Sequence, residues 1–309
     1  MKHFINLKDI ESKDLKKILI DAKKRKYKRK NLNKLDIDKD YPLKGKILIQ
    51  MFEKPSLRTR MSFYLAIRQL GGGTITLRSN ELHLGKGGES LADTAKILST
   101  YGDGFMLRTD SDKKISEFVK YIKIPLINGL SPSSHPTQVL SDIFTVEEIK
   151  KKPISKLNIT WIGDSNNVLN SLIAASIKFS FKLNVGSPKK YHPSKEIVKY
   201  IKRKKNKISF YNNPIMAVKG ADVIFSDKVI SMNDKVNKIK KLRHFKNFKI
   251  NQKLMNFAKK DCIFLHCLPR GKEVDEKVFS SKNSKVWQQA LNRVHVQKSI
   301  LLYCLGKLR

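Results

Sequence analysis

The sequence predicts two α/β domains, each built around a doubly wound parallel sheet. Short apolar runs typical of buried strands alternate with segments of helical periodicity along the chain. Polar residues such as Arg108 follow directly after several of these runs, and doubly wound sheets bind ligands at the carboxyl ends of their strands. The pattern restarts after the lysine-rich stretch 150–153. We therefore place the first domain at 1–149 and the second at 150–288.

The first domain opens with a helix in which Leu15, Ile18, Leu19 and Ala22 share one face. The strands predicted after it lie at 46–52, 73–77, 104–107 and 124–129. The helices lie at 61–70, 92–101 and 139–150, with a glycine-rich loop at 83–90.

The second domain is predicted to contain strands at 157–162, 221–225 and 262–265, and a helix at 168–179. A last helix is predicted at 289–308, beyond this domain. The turn at 163–167 follows a strand and precedes a helix, as in a Rossmann-type fold. It lacks the G-x-G-x-x-G pattern, so dinucleotide binding is not expected.

Length and composition bound the class of protein. The chain has 309 residues, enough for two domains with a core each, and 40% of them are hydrophobic. No apolar run approaches the ~20 residues that a membrane span needs, and residues 1–5 lack the apolar region of a signal peptide. Cys262, Cys267 and Cys304 form neither a disulfide framework nor a zinc pattern. We therefore expect a cytoplasmic protein that binds no membrane and no metal.

The formal net charge of +37 at pH 7 would attract nucleic acid or another polyanion. However, the basic clusters at 23–34, 202–207 and 235–249 are scattered, mostly lack aromatic residues between the lysines and match no nucleic-acid-binding motif. Lys, Asn and Ile are all abundant, as codon drift in an A/T-biased genome would produce. We interpret the charge as a solvated surface without a specific nucleic-acid partner, and keep a polyanion-binding protein on a degenerate enzyme fold as the alternative.

The segment 52–60 carries the clearest ligand-binding pattern. Pro55 and Ser56 are typical of a helix start, so residues 56–60 would form the first helical turn. Free N–H groups and the positive end of the helix dipole attract an anion there. Arg58 and Arg60 would bind phosphate oxygens, and the hydroxyls of Ser56 and Thr59 would donate to them. The alternative is an ordinary capped surface helix.

Five motifs, in their order and spacing, resemble those of the aspartate/ornithine carbamoyltransferase family, and in particular its ornithine-specific members. They are Ser56-Leu57-Arg58-Thr59-Arg60, His135-Pro136-Thr137-Gln138, Asp227 with Ser231-Met232, His266-Cys267-Leu268-Pro269, and Asn292-Arg293. The resemblance covers nearly the whole chain. It implies a two-domain α/β enzyme whose final helix, within 289–309, returns to the first domain. It also implies a homotrimer with active sites shared between subunits.

The resemblance implies that the first domain binds carbamoyl phosphate and the second binds ornithine. The expected contacts to carbamoyl phosphate are Ser56, Leu57, Arg58, Thr59, Arg60, His83 from a neighbouring subunit, Arg108, His135, Gln138, Leu268 and Arg293. The expected contacts to ornithine are Asn167, Asp227, Ser231, Met232, Cys267 and Leu268. Arg108, His135, Asp227 and Cys267 would be the catalytic residues, and no cofactor is implied.

The implied reaction moves the carbamoyl group to the side-chain amine of L-ornithine, which gives L-citrulline and phosphate in arginine metabolism. An amine with a pKa near ~10.4 is almost entirely protonated at pH 7, so a proton acceptor is needed. Arg108 and His135 would polarise the carbonyl oxygen, and the arginines of 56–60 would stabilise the departing phosphate. N-acetylornithine and putrescine stay open as alternative acceptors.

Some residues have plainer interpretations or depart from the family. Taken alone, Cys267 would be a small buried hydrophobe, and Asn167 and His135 would be helix-capping residues. Leu57 stands where the family commonly has Thr, Asn233 where it has Gly, and Leu291 where Glu is frequent. The last change would remove a charge partner from Arg293, so a weakened enzyme is a further expectation to test.

Overall fold

The structure is a computed structural model that describes residues 1–78, 88–204, 207–230 and 237–308. The chain divides into two compact units. Unit 1 comprises Met1–Phe144 with Ala290–Arg309, and unit 2 comprises Thr145–Gln289. Each contains one parallel sheet with helices in the connections, so the predicted fold class is confirmed. In the described part of the chain, no helix is both long and apolar enough to span a membrane.

Unit 1 is built on a sheet with the strand order β2-β1-β3-β4, all parallel. Its elements are α1 Ser12–Lys28, β1 Ile47–Phe52, α2 Leu57–Gln69, β2 Gly73–Arg78, α3 Leu91–Tyr101, β3 Gly104–Arg108, α4 Asp112–Tyr121, β4 Leu126–Leu130 and the first part of α5, Pro136–Lys150. Every residue of β3 is buried, as expected of a central strand covered on both faces. The core around it includes Met51, Leu98 and Phe118.

Unit 2 is built on a parallel sheet with the order β7-β6-β5-β8-β9. Its elements are β5 Asn158–Ile162, α6 Asn167–Phe179, β6 Lys182–Gly186, α7 Lys195–Arg203, β7 Ile208–Tyr211, α8 Pro214–Val218, β8 Val223–Ser226, α9 Lys238–His244, α10 Gln252–Met255, β9 Ile263–His266, α11 Glu276–Phe279 and the start of α12, Val286–Cys304. From Ala290 onwards, α12 belongs to unit 1.

The strand orders place a topological switch point in each sheet. In unit 1 the chain leaves β1 in one direction and continues from β3 in the other, and in unit 2 the same reversal occurs between β5 and β8. Ligands of such sheets bind in the crevice beyond the carboxyl ends of these two strands. The relevant loops are therefore 53–56 and the residues after Arg108 in unit 1, and 163–166 and Asp227 in unit 2.

The bounds of helices α5 and α12 differ from the prediction. Helix α5 begins at Pro136 instead of Val139, because proline suits the first helical position, where no N–H is needed. Helix α12 begins at Val286 and ends at Cys304 instead of spanning 289–308. Gly306, with φ +67°, closes it: the N–H groups of Gly306 and Lys307 donate to the carbonyls of Tyr303 and Leu302.

The elements α4, β6, α7 and β7 and the short helices α8, α9, α10 and α11 were not predicted from the sequence. Helix α4 buries only Ile115 and Phe118, so its apolar stripe is short. All four residues of β7 are only partly buried, which weakens the apolar signal of a strand.

Candidate active site

The predicted phosphate-binding turn lies at the start of α2. Ser56 is the N-cap residue and Leu57 the first helical residue, as the sequence predicted for this turn. Thr59 is buried, Ser56 and Arg58 are partly buried, and Arg60 is exposed. Leu57 is 75% exposed, so what it can offer an anion from inside the turn is its backbone N–H. The turn therefore presents the N–H groups and guanidiniums that an anion requires.

Arg293 of α12 reaches this turn from the far end of the chain. Its guanidinium is buried and donates to the hydroxyl of Thr59, at 2.8 Å, and to the side-chain oxygen of Gln138 in α5. The amide of Gln138 donates onward to Asp142, at 2.8 Å. Three helices that are distant in sequence thus meet around one cation.

His135 lies immediately before α5 and is almost fully buried. Burial lowers the pKa of His135 well below its ordinary value, and the charges of Arg293, Arg108 and Arg58 lower it further. The imidazole is therefore neutral at physiological pH. A neutral ring can donate one hydrogen bond to a carbonyl oxygen without adding repulsion to the surrounding guanidiniums.

Glu53 connects the two strands at the switch point of unit 1. Its backbone N–H donates to the carbonyl of Arg108, at 3.0 Å. Its carboxylate accepts hydrogen bonds from the hydroxyl of Thr109 and the ammonium of Lys114. The sequence analysis assigned Glu53 no role. A carboxylate directly after a strand, within an otherwise basic segment, was the available signal.

Asp227 follows β8 at the switch point of unit 2. Its carboxylate accepts a hydrogen bond from the side chain of Asn166, at 2.7 Å. The other side-chain atom of Asn166 caps α6, accepting from the N–H groups of Val168, at 3.0 Å, and Leu169, at 3.1 Å. The capping interpretation of Asn167 was therefore wrong: Asn166 is the cap, and Asn167 is the first residue of the helix.

Burial raises the pKa of Asp227 to about 6, even though His266, the N–H of Lys228 and Asn166 favour the charged form. Repulsion from Glu273 acts in the same direction as burial. A carboxyl that titrates close to neutral pH can bind a cationic amine and can also accept a proton from it.

The loop after β9 contains the predicted residues Cys267 and Leu268, both partly buried. His266, the last residue of the strand, is buried and lies 3.0 Å from the carboxylate of Glu273. Burial alone would raise the pKa of Glu273, but hydrogen bonds from His266 and the backbone N–H of Gly271 hold it below its ordinary value. Glu273 is a second buried carboxylate that the sequence analysis did not single out.

Some expectations fall outside the described residues, namely His83, Ser231 and Met232, as well as the departure at Asn233. The effect of the departure at Leu291 stays a prediction. Leu291 is 56% exposed, and Arg293 is held by Thr59 and Gln138. Within 1–78, 88–204, 207–230 and 237–308, no group of three or more His, Cys, Asp or Glu side chains could hold a metal ion.

Comparison with family models covers almost the whole chain. Residues 2–148 match the model described as "Aspartate/ornithine carbamoyltransferase, carbamoyl-P binding domain". Residues 155–304 match the model described as "Aspartate/ornithine carbamoyltransferase, Asp/Orn binding domain". The chain belongs to the aspartate/ornithine carbamoyltransferase family.

Individual relatives agree with this family assignment. The chain is 42% identical to an ornithine carbamoyltransferase of Rhodopseudomonas palustris, over 99% of this chain and 97% of the relative. A solved structure of ornithine carbamoyltransferase from Pyrococcus furiosus is 37% identical, with a TM-score of 0.91 over 99% of this chain and 97% of the other. An anabolic ornithine carbamoyltransferase from Campylobacter jejuni is 37% identical, with a TM-score of 0.90 over the full length of both chains.

Within this family frame, the predicted residues fall into two groups. In unit 1, the candidates at 56–60 follow β1 and Arg108 ends β3, the two strands of its switch point. In unit 2, the described candidates Asn167 and Asp227 follow β5 and β8, the strands of its switch point, and the candidates at 267–268 follow the neighbouring β9. Unit 1 presents guanidiniums and suits an anion, whereas unit 2 presents the carboxylates of Asp227 and Glu273. Contact of any of these residues with a substrate stays a prediction.

Proposed function

We propose that this protein is an ornithine carbamoyltransferase, which transfers the carbamoyl group of carbamoyl phosphate to L-ornithine and releases L-citrulline and phosphate. The observation that carries the proposal is the buried cluster of Arg293, Thr59, Gln138 and His135 beside a helix start that carries two further arginines. The names of relatives that match over the full length support the same activity. We assign carbamoyl phosphate to residues 1–149 with 289–309, and ornithine to 150–288.

Carbamoyl phosphate would bind with its phosphate at the start of α2. The N–H groups of the first turn, Ser56, Arg58 and Arg60 would hold the phosphate oxygens. The carbamoyl oxygen would accept hydrogen bonds from Arg108 and the neutral His135, and Gln138 would face the carbamoyl amide. Donors that are already oriented by burial stabilise negative charge on that oxygen without reorganising.

In the proposed step, the lone pair of the ornithine side-chain nitrogen forms a bond to the carbamoyl carbon. The carbonyl oxygen becomes an oxyanion, which Arg108 and His135 stabilise. When the tetrahedral intermediate collapses, the bond between carbon and the bridging oxygen breaks, and phosphate leaves with that electron pair. The nitrogen loses its extra proton to an acceptor. The arginines at the start of α2 stabilise the phosphate as its charge grows.

The charges of unit 2 favour ornithine over aspartate as the acceptor. An aspartate substrate would need cationic partners for its second carboxylate, whereas Asp227 and Glu273 are both acidic. Asp227, with a pKa near 6, is mostly ionised at pH 7 and would bind the ornithine amine. Asn167, Cys267 and Leu268 complete the proposed ornithine contacts in the described part of the chain.

A homotrimer with shared active sites is part of the proposal, as is a cytoplasmic location. Leu57, Met61 and Tyr64, which follow each other at helical spacing on α2, are 75%, 50% and 41% exposed. Such an apolar stripe on a helix surface is typical of a protein interface. For this assembly we retain the predicted contacts of His83 with carbamoyl phosphate in a neighbouring subunit, and of Ser231 and Met232 with ornithine.

The decisive experiment assays the purified protein with carbamoyl phosphate and four acceptors: L-ornithine, N-acetylornithine, putrescine and L-aspartate. We expect the highest kcat/KM with L-ornithine. Putrescine lacks the carboxylate and amino group of the amino acid, and a site left with unpaired polar groups rejects such an analogue strongly. A higher kcat/KM with any other acceptor would refute the ornithine assignment, and absence of turnover with all four would refute carbamoyl transfer.

A further inference from the structure

A buried ion cluster connects helices α1 and α12 of unit 1. Lys298 of α12 is fully buried, and its ammonium lies 2.7 Å from the carboxylate of Asp38. Asp38 also accepts hydrogen bonds from Arg25 of α1, at 3.1 Å, and from Arg29, the residue directly after that helix, at 2.8 Å. Burial lowers the pKa of Lys298 to about 8, with Asp38 opposing that effect. At pH 7 the ammonium of Lys298 is therefore mostly protonated.

The cluster extends to two more carboxylates and is electrically balanced. Arg25 pairs with Asp21, at 3.1 Å, and with Asp40, at 2.9 Å. Asp21 also accepts a hydrogen bond from the hydroxyl of Ser299 in α12, at 2.6 Å. The cations are Arg25, Arg29 and Lys298, and the carboxylates are Asp21, Asp38 and Asp40.

The same cluster contacts the last residue of α2. The ammonium of Lys298 donates to the side-chain oxygen of Gln69, at 3.3 Å. The backbone N–H of Asp38 donates to the backbone carbonyl of Gln69, at 2.7 Å. Helix α2 begins at the proposed phosphate-binding turn, so this contact lies at the opposite end of the helix that carries Arg58.

Helices α2 and α12 are thus connected at two points. Near the start of α2, Thr59 accepts a hydrogen bond from Arg293, and at its end Gln69 accepts one from Lys298. Lys298 follows Arg293 by five residues on α12. Next to Arg293, Asn292 accepts a hydrogen bond from Lys26 of α1, at 2.7 Å. The position of α12 along α2 decides where the guanidinium of Arg293 lies.

A buried charge pair tolerates little displacement, because a shifted ammonium would be left without its carboxylate in a medium of low dielectric constant. A hydrophobic contact at the same place is not directional, so it would define the position of the helix less strictly. The Lys298–Asp38 pair therefore defines the register of α12 more strictly than packing would.

We propose that Lys298 and Asp38 are positioning residues for Arg293: the pair holds α12 in the register at which the Arg293 guanidinium meets Thr59 and Gln138. The proposal rests on the proposed function, because it takes Arg293 to contact carbamoyl phosphate. A displaced guanidinium would lose a charged hydrogen bond to its ligand, and such a loss typically weakens binding roughly 10- to 100-fold. Loss of the pair should therefore weaken the binding of carbamoyl phosphate, although neither Lys298 nor Asp38 contacts that substrate in the proposed site.

The test uses Lys298→Met and the double variant Lys298→Met/Asp38→Asn, with carbamoyl phosphate binding measured by calorimetry at pH 7. The double variant removes one cation and one carboxylate, so the remaining cations and carboxylates are equal in number. Arg29 loses its ion pair with Asp38 but keeps hydrogen bonds to the backbone carbonyls of Asn33 and Asp36, so the protein should fold. We expect Kd for carbamoyl phosphate to rise roughly 10- to 100-fold in both variants, as loss of one charged hydrogen bond would produce. The KM for ornithine at saturating carbamoyl phosphate should change less than twofold. If the pair served stability alone, the balanced double variant would bind as the wild type does.

A double-mutant cycle with Thr59→Val separates positioning from general weakening. If Lys298 acts through Arg293 and Thr59, the combined effect on Kd should be clearly smaller than the product of the two single effects. The matched control is Phe118→Leu, a substitution of a buried core residue in α4. It should lower the stability of the protein at a position distant in sequence from the cluster. It should leave Kd unchanged.

Two failures can be told apart. A wild-type protein that does not bind carbamoyl phosphate would refute the proposed function. Wild-type binding together with an unchanged Kd in the double variant, or with independent effects in the cycle, would refute the positioning role of Lys298 and Asp38 alone.

Discussion

The guanidinium of Arg293 donates a hydrogen bond to the hydroxyl oxygen of Thr59 over 2.8 Å, with both side chains buried. The two residues belong to the last and the second helix of the chain. This one bond joins the C-terminal helix to the turn at which we propose phosphate binds.

Thr59→Val should remove that acceptor while keeping the shape of the side chain. A buried hydrogen bond to a charged group contributes about 1.5–3 kcal/mol, so kcat/KM for carbamoyl phosphate should fall roughly 10- to 100-fold. Steady-state kinetics at saturating ornithine would measure this. Thr94→Val, a buried threonine of α3, is the matched control and should behave as the wild type. Equal kinetics for both variants would contradict a role of Thr59 in orienting Arg293.

Arg58→Ala should lower kcat by about 10²–10³, because it removes a charged donor from the proposed phosphate site. Arg68, in the last turn of the same helix, is exposed and provides the control. Arg68→Ala should retain activity, and circular dichroism should show the fold intact in both variants. Activity of Arg58→Ala close to that of the wild type would refute the phosphate-binding turn.

Asp227→Asn should stabilise the protein at pH 8. Burial raises the pKa of Asp227 from 3.8 to about 6, so the folded state binds its proton more tightly than the unfolded state. The contribution of Asp227 to the free energy of unfolding therefore falls as pH rises from about 4 to about 6. Above pH 6 this loss remains. The variant should regain up to about 3 kcal/mol at pH 8, at 1.36 kcal/mol per pKa unit. The gain in stability should be smaller at pH 5. The variant should also lose activity.

Denaturant titrations at pH 5 and pH 8 would measure the effect of Asp227→Asn. The control is Asp261→Asn, because hydrogen bonding to Lys150 lowers the pKa of that exposed carboxyl. Ionised Asp261 therefore stabilises the protein, whereas ionised Asp227 destabilises it. The contribution of Asp261 is present above its ordinary pKa and is lost as pH falls through its lowered pKa. A gain for Asp227→Asn that is independent of pH would show that titration of Asp227 is not its cause.

Met61→Glu should dissociate the proposed trimer. Met61 is 50% exposed in the middle of the apolar stripe of α2, where a carboxylate would have to be buried on association. Light scattering after size-exclusion chromatography would report the mass. Ile20→Glu on α1, at a side chain that is 56% exposed, is the control and should remain a trimer. An unchanged mass for Met61→Glu would exclude this face as the interface.

Binding to nucleic acid should be weak, independent of sequence and lost between about 50 and 200 mM salt, because released counterions dominate such binding. Fluorescence anisotropy with two DNA duplexes of different sequence would measure it. Charge reversal at the exposed Lys23 and Lys24 should weaken the binding and leave carbamoyl transfer unchanged. A preference for one sequence at physiological salt would favour the polyanion-binding alternative.

Much of the fold could be predicted from the sequence, because local patterns of residues determine it. The apolar run that forms β1, Ile47–Phe52, and the glycines that end α2 predict the first strand–helix–strand unit. Five motifs in register predict the family. The misses were segments whose signal is weak, such as β7 with its partly buried residues.

The chemistry of the candidate residues was decided by tertiary structure. His135 is neutral because burial and Arg58, Arg108 and Arg293, from three separate elements, all lower its pKa. Sequence spacing does not reveal such a group, because electrostatic effects act through space and depend on burial.

The same reason applies to the pairings that the sequence analysis missed. Asn166 holds Asp227 across two strands, and Lys298 meets Asp38 from the other end of the chain. The sequence by itself determined the fold class, the strands and helices with strong apolar patterns, the family and the residue types at the ends of those strands. Only the tertiary structure decided which of those residues meet and in which protonation state, since both depend on distances that chain folding sets.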